Sequence, residues 1–141
     1  MEERLIKVGI THGDINGIGY EVILKTFSDA RVAELCTPVI YGSSKIAAYH
    51  RKALELPPVN MNIISQAEDA GINRVNIINC VDDETKVELS QSTSIAGEAA
   101  FLALEAAVTD LKRGAVDVLL TAPINKHNIQ NDEFHFPGHT E

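Results

Sequence analysis

The spacing of apolar residues switches repeatedly along the chain, between the alternation of a strand and the longer period of a helix. Pro57 and Pro58 mark the clearest stop, because proline does not continue a helix. The first part of the chain is predicted to contain, in order, a strand at Leu5–Thr11, a helix at Gly17–Phe27, a strand at Pro38–Tyr41, a helix from Ser43 or Ser44 to about Leu56, and strands at Asn60–Ser65 and Arg74–Val81.

The longest predicted helix covers Ile95–Arg113, with Ser94 as its N-cap and Gly114 just past its end. Its polar residues form a narrow stripe, so Glu98 and Glu105 should face outward and most of the remaining surface should be buried. Its many alanines allow a close approach to a sheet or to a second subunit.

The segment Val116–Leu120 is a nearly continuous apolar strand pattern, typical of parallel strands that are covered on both faces. Strands and helices therefore alternate along the chain. This pattern predicts an α/β fold, layered α/β/α with a largely parallel sheet.

Composition limits the partners of this fold. With 141 residues, 45% of them apolar, the chain is predicted to form a single α/β unit, 1–141. Its formal charge is −8 with no long basic run, so we expect no nucleic-acid partner. It has neither a membrane-length apolar stretch nor the start of a signal peptide, so we expect a soluble, cytoplasmic protein without a membrane partner.

Cys36 and Cys80 form no CxxC pair and are predicted to be reduced and buried.

The first candidate for chemistry is the glycine-rich segment Thr11–Glu21. A strand, a glycine loop and a helix can present backbone amides to a phosphate. The glycine spacing matches neither G-x-G-x-x-G nor the Walker pattern, and Asp14 disfavours a simple anion cradle. Two roles stay open for the loop, a ligand contact and a tight turn into the helix.

The second candidate, Leu120–His127, begins at the carboxyl end of the most apolar strand, where open α/β sheets bind ligands. Thr121, Asn125 and Lys126 offer a hydroxyl, an amide and a cation, which suit a phosphate or a carboxylate. Pro123 is predicted to lie in the first turn of a short helix. The alternative is a surface loop with a solvated lysine.

The third candidate is the segment Phe134–Glu141. His135 and His139 are four residues apart, but the proline and glycine between them disfavour a helix that would place both on one face. His139 and Thr140 offer a titratable ring and a hydroxyl to one small ligand. His50 lies beside charged residues in a predicted helix and is expected to be exposed.

Three segments resemble the N-terminal part of the 4-hydroxythreonine-4-phosphate dehydrogenase family of pyridoxal phosphate (vitamin B6) biosynthesis: I-T-H-G-D-I-N-G-I-G-Y-E, T-A-P-I-N-K and F-P-G-H-T-E, in this order. The resemblance spans nearly the whole chain. The first segment departs from the family at Ile15 and Tyr20, where the family usually has proline.

The resemblance implies a fold like that of isocitrate and isopropylmalate dehydrogenases, and a homodimer with active sites near the subunit contact. It implies NAD-dependent oxidation and decarboxylation of a small phosphorylated hydroxy-amino acid, 4-phosphohydroxy-L-threonine. In the family the histidine and threonine of G-H-T-E contact the substrate, which carries over to His139 and Thr140. Asn125 and Lys126 are further candidates for substrate binding, and no catalytic or NAD-binding residue is assigned.

The resemblance also implies a divalent metal, zinc, magnesium or cobalt, whose histidine ligands lie further along the family's sequence. No residue of this chain is therefore predicted to bind the metal. Family members are more than twice as long, so the chain is expected to be an inactive fragment of the enzyme. Two alternatives stay open: an NAD-dependent dehydrogenase of another four-carbon acid phosphate, such as erythronate phosphate, and a non-enzymatic binding or dimerisation module.

Overall fold

Five parallel strands form the centre of the structure, a computed structural model that describes residues 5–129. Their order across the sheet is β3-β4-β2-β1-β5, and every neighbouring pair is parallel. The predicted parallel sheet is therefore confirmed. The strands are β1 (Lys7–Thr11), β2 (Thr37–Gly42), β3 (Met61–Ile64), β4 (Val75–Asn79) and β5 (Val118–Thr121).

Helices lie on both faces of this sheet. On one face, Ile23 and Phe27 of the first helix pack against the strands. On the other face, Ala103 and Ala107 of the longest helix do so. The layered α/β/α prediction is therefore confirmed. The helices are α1 (Gly19–Phe27), α2 (Val32–Leu35), α3 (Ser44–Ala53), α4 (Ser94–Lys112) and α5 (Lys126–Ile129), with a 3-10 turn at Ala67–Asp69.

Helix α4 approaches the sheet through small side chains, as its composition predicts. Glu98 and Glu105 face solvent, also as predicted. Ile95 differs from its prediction, because it is 45% exposed on the same side of the helix as Glu98, three residues later. The alanines that expose 2% or less of their surface are Ala96, Ala99, Ala100, Ala103 and Ala107.

The N-cap of α4 is Thr93 and not Ser94, which is already the first helical residue. The Thr93 hydroxyl accepts a hydrogen bond from the N–H of Ala96 at 3.1 Å. The helix packs against α5 at Gly97, where any side chain would collide with the carbonyl group of Asn128. A glycine in the first part of a long helix is therefore explained by this close approach.

Strand β5 lies at the edge of the described sheet and departs most from its prediction. Leu119 packs towards α4. Val118 and Leu120 point to the other face and expose 46% and 58% of their surface. The prediction that this strand is covered on both faces is therefore wrong for residues 5–129, because a helix covers only one of them. The uncovered side borders an open, mainly apolar groove that also includes Val22 and Phe27 of α1.

Two further predictions concern the cysteines and the membrane. Cys36 and Cys80 are both free, as predicted, but each is half-buried and not fully buried. Burial raises the pKa of the Cys80 thiol to about 12, so it stays protonated at neutral pH. Within residues 5–129, no helix has the length and apolar character needed to span a membrane.

Candidate functional site

The loops that follow β1 and β5 lie side by side at the carboxyl edge of the sheet, because the two strands are parallel neighbours. The loop of residues 12–18 leads to α1 on one face. The loop of residues 122–125 leads to α5, which packs on α4 on the other face. Open α/β sheets bind ligands where loops of neighbouring strands leave in opposite directions. The first two sequence motifs therefore meet at this edge.

Two backbone hydrogen bonds join these loops. The N–H of Ala122 donates to the carbonyl of Thr11 at 3.1 Å, and the N–H of Asp14 donates to the carbonyl of Pro123 at 2.9 Å. Between these bonds, Gly13 has a φ of 67°, and a side chain there would collide with the carbonyl of Pro123. The two loops therefore touch through their backbones, and glycine is required at the point of contact.

Two backbone amides of the glycine-rich loop donate hydrogen bonds to Asp14, within the loop itself. Besides the bond from Asp14, the N–H of Asn16 donates to the Asp14 carboxylate at 3.0 Å. The N–H of Gly17 donates to the carbonyl of Asp14, also at 3.0 Å. A phosphate cradle needs such amides to be free. These contacts favour the tight-turn role that the sequence left open.

Asn16 has a role that the sequence motif did not indicate. Its buried side-chain amide donates to the carbonyl of Gln91 at 3.0 Å and to the hydroxyl of Thr93 at 3.2 Å. Its side-chain oxygen accepts from the N–H of Glu88 at 2.7 Å. Asn16 therefore connects the segment that precedes α4 to the glycine-rich loop through side-chain hydrogen bonds. The only sequence signal was an asparagine placed directly before a glycine of the loop.

The imidazole of His12 is buried directly behind this loop. Its Nδ1 lies 2.7 Å from the hydroxyl oxygen of Tyr20, and its Nε2 lies 2.9 Å from the carbonyl oxygen of Ala99. Burial lowers the pKa of His12 to about 4 and raises the pKa of Tyr20 well above its usual value. Both side chains are therefore neutral at neutral pH.

His50 is also buried, which corrects the prediction of an exposed residue. It exposes 2% of its surface, and its Nε2 lies 2.7 Å from the carbonyl oxygen of Ile15. Its ring stacks on Tyr20 at a centroid distance of 5.3 Å, and burial lowers its pKa. The charged neighbours Arg51 and Lys52 were a poor guide, because consecutive helical residues point in different directions.

The second motif ends in the short helix α5, and its polar groups have separate roles. The side-chain oxygen of Asn125 accepts from the N–H of His127 at 2.9 Å and from the N–H of Asn128 at 3.2 Å. This is the geometry of a helix N-cap. Lys126 and His127 are exposed. The oxygen of Asn125 is thus used by the helix, whereas the cation of Lys126 faces solvent.

Thr121 and Pro123 precede this helix in the chain. Thr121 is the half-buried last residue of β5, and Pro123 is an exposed loop residue. The helix begins at Lys126, so the prediction that Pro123 lies in its first turn is wrong. Capping by Asn125 sets the start of the helix instead. Thr121 and Pro123 both border the open groove beside α1.

The third motif lies outside the residues that the structure describes, and His135, His139 and Thr140 lie with it. The contact of His139 and Thr140 with the substrate therefore stays a prediction. Among residues 5–129, no three side chains of His, Cys, Asp or Glu are grouped so that they could hold a metal ion. The N–H groups of Asp14, Asn16 and Gly17 are bonded to other protein atoms, so these three are not available to a phosphate.

An open parallel sheet with helices on both faces and two loops joined at its carboxyl edge is typical of α/β enzymes that bind a small ligand there. The chain belongs to the family of the pyridoxal phosphate biosynthetic protein PdxA, whose sequence model matches residues 34–141. The family that the three motifs indicate is thereby confirmed.

Individual relatives agree with this assignment. The chain is 60% identical over all 141 residues to 4-hydroxythreonine-4-phosphate dehydrogenase of Bacteroides thetaiotaomicron, and covers 38% of that protein. It is 32% identical over 144 aligned positions to D-threonate 4-phosphate dehydrogenase of Cupriavidus necator, and covers 43% of it. The chain therefore spans less than half the length of these relatives.

A solved structure supports the fold. The crystal structure of a 4-hydroxythreonine-4-phosphate dehydrogenase from Burkholderia phymatum matches this chain with a TM-score of 0.85 and 29% sequence identity. The match covers 99% of this chain and 42% of that one. The fold like that of isocitrate and isopropylmalate dehydrogenases, which the resemblance implied, is confirmed by this likeness.

Acid should destabilise the chain through its buried histidines. The pKa of His12 is about 4 in the folded chain and about 6.5 when unfolded, so unfolding takes up a proton between these values. Stability should be complete above pH 6.5 and should fall by about 3 kcal/mol as the pH approaches 4, with His50 adding in the same direction. The free energy of unfolding in urea, measured at several pH values, tests this expectation.

Two variants test whether His12 causes this pH dependence of stability. His12→Gln should weaken the fall in stability between pH 6.5 and pH 4.5, whatever its effect at neutral pH. His127→Gln, at an exposed histidine, should keep the wild-type slope. A wild-type stability that is flat over this range would contradict the buried, neutral state of His12.

Proposed function

We propose that this chain is the N-terminal part of an NAD-dependent dehydrogenase that oxidises and decarboxylates 4-phosphohydroxy-L-threonine in pyridoxal phosphate biosynthesis. The observation that carries the proposal is the 60% identity, over the whole chain, to a protein named 4-hydroxythreonine-4-phosphate dehydrogenase. Residues 1–141 form one α/β unit of this enzyme, which acts in the cytoplasm as a homodimer. The unit alone is inactive.

The residues of this chain serve to bind and orient the substrate. His139 and Thr140 hold its amino, hydroxyl or carboxylate end. Lys126, an exposed cation beside the carboxyl edge of the sheet, contributes attraction for the anionic substrate. Asn125 contributes through its amide N–H₂ group, since its oxygen caps α5.

A divalent metal, zinc, magnesium or cobalt, supplies the enzyme with charge stabilisation at the substrate oxygen that loses its proton. Residues 5–129 offer no grouped metal ligands. NAD is not placed on the amides of Asp14, Asn16 and Gly17, which are bonded to other protein atoms. As the family resemblance implies, the metal ligands and most of the NAD contacts are placed in the part of the full-length protein that follows this chain.

A second candidate function is the oxidation of D-threonate 4-phosphate, another four-carbon acid phosphate. It is favoured by the 32% identity to the Cupriavidus necator enzyme of that name, again over the whole chain. The two substrates differ at the carbon next to the carboxylate, where one bears an amino group and the other a hydroxyl group. Both reactions would use the same fold and the same edge of the sheet.

An assay of the full-length protein should separate these functions. NADH formation is followed with 4-phosphohydroxy-L-threonine and with the 4-phosphates of D-threonate and D-erythronate. We expect kcat/KM for the amino acid to be higher by about tenfold or more, a difference of about 1.4 kcal/mol. Comparable or reversed values would contradict the proposed substrate. The 141-residue chain, with added zinc, cobalt or magnesium, is the control and should give no NADH above the blank.

His139 provides a direct test of the proposed substrate contact. In the full-length protein, His139→Ala should lower kcat/KM by roughly one to three orders of magnitude, equivalent to about 1.4 to 4 kcal/mol. The affinity for NAD should barely change, because this residue is assigned to the substrate. His127→Ala, at an exposed histidine of the neighbouring motif, is the matched control and should stay near wild type. Near-normal kinetics for His139→Ala would reduce the G-H-T-E segment to a structural turn.

A further inference from the structure

Three aromatic rings are buried together behind the glycine-rich loop, and the proposed reaction does not use them. His12, Tyr20 and His50 each expose 2% or less of their surface. Tyr20 lies between the two imidazoles, edge-on to His12 at 5.4 Å and stacked on His50 at 5.3 Å. Such a cluster is costly to bury unless every polar atom has a partner.

The hydrogen bonds of this cluster run in one direction. The N–H of Ser43 donates to the Tyr20 hydroxyl oxygen at 2.9 Å. The hydroxyl proton is then given to His12 Nδ1 at 2.7 Å, a much better acceptor than the carbonyl of Ser43 at 3.4 Å. Since Nδ1 accepts, the proton of neutral His12 lies on Nε2 and is donated to the carbonyl of Ala99 at 2.9 Å. The contacts therefore select one tautomer of His12.

The same cluster reaches the loop at a second point. His50, on α3, donates from Nε2 to the carbonyl of Ile15 at 2.7 Å. Ile15 lies in the middle of the loop and is completely buried. The loop is thus held at His12, next to Gly13, and again at Ile15. It contains no proline that would fix its φ angles by itself.

We propose that Tyr20 and His50 are positioning residues, which hold the loop of residues 12–17 against the Ala122–Pro123 segment. Tyr20 acts by donating to Nδ1 of His12, and His50 acts by donating to the carbonyl of Ile15. Because Asp14 of this loop is bonded to Pro123, the cluster also fixes the start of the second motif. The positioning role does not depend on the proposed function. Only the identity of the ligand bound at this edge of the sheet rests on it.

The first test is the hydrogen bond at Nδ1 of His12, which a purely space-filling role of Tyr20 would not produce. Nitrogen NMR of the 141-residue chain at neutral pH distinguishes a protonated Nε2 from a protonated Nδ1. We expect His12 to carry its proton on Nε2 in wild type, where it faces the carbonyl of Ala99. In Tyr20→Phe, which keeps the ring and removes the hydroxyl, the proton should stay on Nε2 while the Nδ1 signal shifts, because Nδ1 loses its hydrogen-bond donor. A wild-type proton on Nδ1, or an unchanged signal in Tyr20→Phe, would overturn the role of Tyr20.

The second test is hydrogen exchange of the loop in a His50→Phe variant, which keeps a stacked ring and removes the donor. The amides of Asn16 and Gly17 should exchange about tenfold faster relative to Ile77, a buried residue of the central sheet. His50→Gln, which restores a donor, should reverse part of this change. Tyr49→Phe is the control, since Tyr49 is 45% exposed and contacts the outer edge of His50.

The outcomes separate this proposal from the proposed function. Equal protection of Asn16 and Gly17 in wild type and His50→Phe would overturn the role of His50. If the NMR and exchange results are as expected while the full-length protein oxidises none of the tested phosphates, the positioning role stands and the proposed function fails. Neither measurement depends on dehydrogenase activity.

Discussion

The arrangement of the candidate site depends on the parallel pairing of β1 with β5. This pairing continues past the strands themselves, through the bond from Ala122 to Thr11 and the bond from Asp14 to Pro123. It brings together two segments that are more than one hundred residues apart in the sequence. Such a long-range contact lets side chains from separate loops act on one ligand. The positive φ of Gly13 is the local condition that makes the contact possible.

Behind this backbone contact lies a group of buried polar side chains, which are held in place by hydrogen bonds. His12, Tyr20, His50 and Asn16 each have hydrogen-bond partners from different elements. Removing one member would leave another buried and unpaired, which costs more than the bond itself contributes. Together these contacts tie α1, α3, α4 and the loop to the end of β1. The carboxyl edge is therefore fixed from the interior.

The sequence predicted the layered fold, the order of the elements and the family, because these follow from periodicity and from local motifs. It failed where a residue's environment is set by tertiary contacts. His50 was predicted to be exposed from its charged neighbours, yet a carbonyl from the distant loop keeps it buried. Asn16 was overlooked, since its partners lie more than seventy residues away.

The prediction for β5 failed for a related reason. An apolar strand pattern shows that a surface is suited to burial, but not which element buries it. In residues 5–129 only α4 lies over this strand, so Val118 and Leu120 remain exposed. The neighbouring groove between Leu120 and α1 is therefore a surface that the described residues leave open.

The two motif-bearing loops form one rigid edge of the sheet. Native-state hydrogen exchange of the Asp14 and Ala122 amides in the 141-residue chain tests it most directly, because these two donors join the loops. Both amides are expected to exchange as slowly as that of Ile40, in the centre of the sheet, through global unfolding only. Exchange of Asp14 and Ala122 that is faster than that of Ile40 by several orders of magnitude would show that the edge is not rigid.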